Sequence, residues 1–196
     1  ALVEQPLDPG ATLADVQELN RSLVTCGASI DEINAVRKHL SAVKGGRLAV
    51  AASAARKVTF GVTDVPEGQE SALASGPTLP DPTTVSEASG VIRRYDLLSK
   101  LPAPFRLRFE NPETIAETPK AGNPAFARAE FQILLGMHDL FHPAHRAAEA
   151  AEFITVCDNT TDNWPLSRAA DFLLEQLRAL QRANPGRAVA VIADGE

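Results

Sequence analysis

Cysteine, methionine and aromatic residues are scarce in these 196 residues, which contain two Cys, one Met, one Trp and one Tyr. Cys26 and Cys157 lie far apart and make no metal-ligand spacing, so they read as reduced core thiols of a cytoplasmic protein rather than a disulfide framework. No apolar run approaches the roughly 18 residues of a membrane span. The opening "ALVEQPLDPG" lacks the basic and apolar regions of a signal peptide. Positive charge is also short: 19 Lys and Arg against 25 Asp and Glu give −6, which argues against general nucleic-acid binding. Neither a Walker loop nor G-x-G-x-x-G occurs, which counts against a nicotinamide dehydrogenase. What remains is globular composition, 44% hydrophobic and 22% charged, with enough apolar residues for a core.

Helices announce themselves by their caps. Thr12 with Asp15, and Ser29 with Glu32, have capping-box spacing. The first predicts a helix with Leu13, Val16, Leu23 and Val24 on its apolar face, ended by Gly27. The second predicts a helix from Ser29 to Lys44, with Ile33, Val36, Leu40 and Val43 as one stripe. Asn34, Arg37, Lys38, Ser41 and Lys44 take the other side, and Gly45 and Gly46 break the helix. An apolar segment, Leu48 to Ala55, and a buried strand over 57–63 follow. A loop of about twenty residues comes next, too long to be a plain connection, then a helix over 85–98. The tail alternates: strand "FQILLGM", helix through "HPAHRAAEAA", strand "FITVC", helix over 165–182, strand "RAVAVIA". That alternation implies a parallel sheet covered on both faces.

Three places carry candidate chemistry. Lys44-Gly45-Gly46-Arg47 puts two cations beside glycine backbone that an anionic ligand could approach closely. Asp64, just past a strand, and Asp81 offer carboxylates to Mg2+. Ser75, Gly76, Thr78, Thr83 and Thr84 offer hydroxyls and amides to phosphates. "HDLFH" (His138 to His142) mimics a zincin helix, but Pro143 disfavours one helix through both histidines. They and His145 read as helix-entry and surface residues.

"NAVRKHLSAVKGGRLA" closely resembles the segment that marks the glycerate 2-kinases, also labelled hydroxypyruvate reductases. "TDVP" with "ASGPTLPDPTT", and "ETPKAGNPAF", resemble two further signatures of that family in the same order and spacing. The likeness covers Ala1 to about Phe126. It implies an α/β fold: a three-layer, parallel-sheet, Rossmann-like portion over 1–118, a linker over 119–127, and part of a second, MOFRL-type α/β domain over 128–196. The implied reaction is phosphorylation of D-glycerate at its 2-hydroxyl by ATP with Mg2+. Carried over, Asn34, Arg37, Lys38 and Ser41 bind substrate, and Lys44 and Arg47 are catalytic. Ser75, Gly76, Thr78, Thr83 and Thr84 bind ATP, and Asp64 and Asp81 hold Mg2+. The expected partner is a small molecule, glycerate, with no nucleic acid or membrane and with a homo-oligomer open. The family also has a glycine-rich segment with a functional lysine before the position of Ala1 and a glycine- and arginine-rich one after that of Glu196. The chain is therefore expected to be an interior portion holding part of a site. Two other readings stay open: a non-catalytic anion- or partner-binding derivative, and an NAD-linked hydroxypyruvate reductase.

Overall fold

The computed structural model describes residues 4–63, 65, 68–161 and 164–193. The chain divides into two compact units, one of residues 1–61 and 65–134, the other of 62–64 and 135–196. Residues 119–127, expected as a linker, lie inside the first unit. The class is mixed α/β with parallel strands, as the alternation of elements implies.

The first unit is mainly helical. Both expected capping boxes form. Thr12 opens α1 (Leu13–Thr25) and Ser29 opens α2 (Ile30–Leu40), and Gly27 follows α1 in the left-handed conformation (φ +87°) that favours glycine there. The helix α2 stops four residues earlier than the sequence suggests. Ser41 turns extended, and its hydroxyl accepts the amides of Val43 and Lys44, both at 3.1 Å. A hydroxyl placed to cap a turn competes with the next helical hydrogen bonds. After the Gly45-Gly46 turn the apolar segment is a short helix, α3 (Arg47–Ala51).

Strand β1 (Lys57–Val62) is buried on one side only, with Val58, Phe60 and Val62 exposed, where the sequence predicts a buried strand over 57–63. It pairs with β2 (Ala129–Leu135). Helix α4 (Val85–Arg94) is opened by a third capping box, Thr84 with Glu87, and α5 spans Ala103–Glu110. The core joins Leu19 and Leu23 of α1, Ile33, Val36 and Leu40 of α2, Val91 and Ile92 of α4, and Phe105 of α5. Three of the four predicted α2 stripe residues are in it. Leu13 and Val24 of α1 are instead exposed.

In the second unit α6 (Met137–Ala150) leads to β3 (Ile154–Cys157), then α7 (Leu166–Ala183) and β4 (Val189–Ile192). Strands β3 and β4 pair in parallel, Ile154 opposite Val189 and Cys157 opposite Ile192, as a helical crossover requires. Contrary to the sequence reading, α6 continues through Pro143. Proline removes one helical donor there, and the rest of the helix proceeds around that loss. Neither cysteine is bridged, yet Cys157 is exposed rather than a core thiol, because it ends its strand at the surface. No helix among the described residues is long and apolar enough to cross a membrane.

Helix caps of this kind contribute about 1 kcal/mol each. Ser29→Ala should therefore lower the unfolding free energy by about 1 kcal/mol in urea titration, with the denaturant slope unchanged.

Candidate functional site

Much of the polar side of α2 is withdrawn from solvent, with Asn34 and Lys38 buried and Arg37 partly so. Lys38 keeps 4% of its side chain exposed and Asp81 none, and Lys38 Nζ lies 3.1 Å from Asp81 Oδ1. Thr83 completes the arrangement: its amide donates to Asp81 Oδ1 at 3.1 Å, and its hydroxyl lies 3.0 and 2.9 Å from the two carboxylate oxygens. Burial alone pushes the Asp81 carboxyl up. The Lys38 charge and the Thr83 donors outweigh it and hold it below the ordinary value. Nearby, Ser75 Oγ donates to Asn34 Oδ1 at 3.2 Å in buried surroundings. The α2 segment and the loop after β1 are thus joined by two buried side-chain contacts.

Backbone completes the join. Gly45 N donates to Ser75 O at 2.9 Å, and Gly46 N to Gly76 O at 2.8 Å. Both glycines have positive φ, and a Cβ on Gly46 would lie 2.7 Å from the Phe126 ring and 2.8 Å from Leu79 O. Only glycine fits that contact. The close approach that the sequence offers to a ligand is here made by the protein itself.

The "ETPKAGNPAF" segment, with Ala116 just before it, straps this region. Asp81 N donates to Pro119 O at 3.0 Å, and Arg47 Nη2 donates to Ala116 O at 2.8 Å. Lys120 Nζ donates to Thr83 O, to Thr118 Oγ1 at 2.8 Å, and pairs with Glu117 at 3.1 Å. Glu117 also accepts the Val85 amide at 2.9 Å and faces His39 Nε2 at 3.3 Å. Burial alone raises the Glu117 carboxyl, but the Val85 amide, Lys120 and His39 outweigh it and leave it lowered. Arg47 is half-buried. Burial lowers its guanidinium from the ordinary value, against the fields of Asp81 and Glu117. Its Nε is buried with no hydrogen-bond partner in the protein.

The remaining expected residues fall elsewhere. Arg37 Nε donates to Asn20 at 2.7 Å. Ser41 and Lys44 both donate to the Glu4 carboxylate, so the anion at the end of the basic segment is one of the chain's own side chains. Thr78 shares a 2.7 Å hydroxyl contact with Thr59. Thr84 is spent on the α4 cap. Gly76 and Thr78 line a largely apolar cavity of about 710 Å3, walled also by Leu48, Phe60, Leu73 and Phe131. Asp64 lies outside the described residues. Among the described residues no three His, Cys, Asp or Glu gather as a metal site, and Asp81 is already committed to Lys38 and Thr83.

Sequence reasoning missed Glu4, Glu117 and Lys120. The last two sit in a segment whose Pro and Gly content reads as a link, and only its likeness to a family signature could have flagged them. Nothing in "LVEQP" marks Glu4.

A family model described as "Domain of unknown function (DUF4147)" matches residues 1–110. The glycerate 2-kinase of Pyrococcus horikoshii is 42% identical over 110 residues, 56% of this chain and 24% of that protein. The glycerate kinase of Bos taurus is 30% identical over 197 residues, 99% of this chain and 36% of that protein. The crystal structure of glycerate kinase from Thermotoga maritima superposes with a TM-score of 0.72 at 29% identity, covering all of this chain and 45% of the other. The chain therefore spans less than half of the length of these relatives.

The lowered Asp81 carboxyl has a testable sign. A depressed folded value stabilises the fold above the unfolded carboxyl value, 3.8, and that contribution disappears as pH falls through the lower folded value. Between neutral pH and pH 3, Asp81→Asn should lose less stability than the parent, measured as urea midpoints across pH. Above pH 5 it should be the less stable of the two.

Proposed function

Because this chain belongs to the DUF4147 family, we propose that it supplies a portion of an enzyme that phosphorylates D-glycerate at its 2-hydroxyl, using ATP and Mg2+, to give 2-phosphoglycerate. Relatives named glycerate 2-kinase and glycerate kinase support the substrate and the reaction class. The observation that carries the reading onto this chain is Arg47: a half-buried guanidinium whose Nε donor has no partner in the protein.

A buried donor without a partner costs about 1–3 kcal/mol, and an anionic oxygen from a ligand would remove that cost. Arg47 can present Nε and an Nη together to a carboxylate or phosphoryl group. Lys38 acts differently. Its ammonium is held by Asp81, so it fixes the loop over 75–84 against α2 and sets where Arg47 stands. Lys44 would reach a substrate only by exchanging its partner Glu4.

Transfer of a phosphoryl group relies mainly on positioning and on cations around a charged transition state. The surroundings of Arg47 supply that: a strap that fixes the guanidinium through Ala116 O, and a second cation, Lys120, on the same strap. On the nucleotide side, Gly76 and Thr78 border the 710 Å3 cavity, whose size lies within the range of small-molecule sites. Its apolar walls are what we assign to a nucleotide base. The described residues do not by themselves compose a magnesium site.

The assay follows ADP release on addition of D-glycerate, with product identified as 2-phosphoglycerate, in a polypeptide extended to the full length of the relatives. Arg47→Met there should lower kcat/KM by about 100-fold, the scale for losing one transition-state donor. Arg47→Lys should recover only part of it. An unchanged kcat/KM in Arg47→Met would remove Arg47 from the site.

A further inference from the structure

A second cluster, wholly within the second unit, takes no part in the site above. Cys157 is the last residue of β3 and is exposed. Its Sγ lies 3.3 Å from His145 Nδ1. The other ring nitrogen of His145, Nε2, lies 3.1 Å from Glu149 Oε1, one turn further along α6.

The Glu149 carboxylate, 3.1 Å from Nε2, favours by its charge the tautomer that carries the ring proton on that side. Nδ1 then turns its lone pair to the thiol. A nucleophile, a base within reach of its proton, and a carboxylate that fixes the tautomer of the base are the three parts of an activated thiol. Cys26 makes the contrast: its Sγ donates to the Leu23 carbonyl at 3.1 Å, which leaves its proton where it is. The cluster also lies at the carboxyl end of a strand in a parallel pair, where side chains of α/β folds meet ligands.

We propose that Cys157 is a nucleophilic, modifiable thiol, served by His145 as base and by Glu149 as a positioning residue, and that it exchanges with low-molecular-weight disulfides. His145 Nδ1 takes the thiol proton as Cys157 Sγ attacks one sulfur of the disulfide. The disulfide bond breaks, a mixed disulfide forms on Cys157, and the departing thiolate takes the proton from His145. Cys157 is oxidised and the departing sulfur is reduced. Because Sγ is at the surface, a small disulfide reaches it without entering a cavity. Glu149 is well exposed, so water screens its pull on the ring, and its share of the effect is the smaller.

The test uses oxidised glutathione at neutral pH on the chain carrying Cys26→Ser, following the mixed disulfide by intact mass and peptide mapping. His145→Gln should slow its formation at least about 10-fold, a low value for a positioned base. Glu149→Gln should slow it about 2- to 3-fold, and both variants should keep the parent's urea midpoint. The folded parent should also react faster than the same chain unfolded in urea, a comparison that needs no variant. An unchanged rate in His145→Gln, or a folded chain no faster than the unfolded one, would overturn the proposal.

Discussion

The pairing of Lys38 with Asp81 is the contact on which the first unit's polar interior depends. Two opposite charges withdrawn from water are costly unless each is also hydrogen-bonded. Asp81 meets that condition through the Thr83 amide and hydroxyl. The pair cannot be loosened without stranding a charge, so α2 and the loop after β1 are fixed to each other. The Gly45 and Gly46 amides then fall onto Ser75 O and Gly76 O. The strap from Ala116 to Lys120 closes over the join, and Arg47 is left with one donor unused.

That arrangement changes what the cations do. On the sequence, Arg37, Lys38, Lys44 and Arg47 form one basic stretch directed at an anion. In the fold they part company: Lys38 goes to Asp81, Lys44 to Glu4, Arg37 to Asn20, and Arg47 to a backbone carbonyl. Three are matched inside the protein, and only Arg47 retains a buried donor with nothing to meet. A basic segment therefore marks the neighbourhood of a site without naming the residue that contacts a ligand.

Much of the fold could be read in advance, because caps and periodicity are local. Thr12, Ser29 and Gly27 mark their helix ends, and the Ile33, Val36 and Leu40 stripe enters the core. The end of α2 could not be read, because Ser41 is drawn out of the helix by its capping contacts and by Glu4, far away in sequence. Pro143 misled in the opposite sense, since a long helix can lose one donor and continue. The site was half legible. Family likeness singled out the segments that meet, but which cation pairs with which carboxylate is set by tertiary contacts, Lys38 and Asp81 being 43 residues apart. The Cys157, His145 and Glu149 cluster was not legible at all, because the strand and helix must fold before the thiol meets its base.

The most direct measurement of the central claim is a double-mutant cycle on Lys38 and Asp81, with Lys38→Met, Asp81→Leu and the pair together, followed by urea unfolding. Each single change strands a buried charge and should cost about 3–5 kcal/mol. The double variant should be more stable than either single one, with a coupling of at least about 2 kcal/mol. Additive single effects, within about 0.5 kcal/mol, would contradict the account and leave the two segments held together by something else.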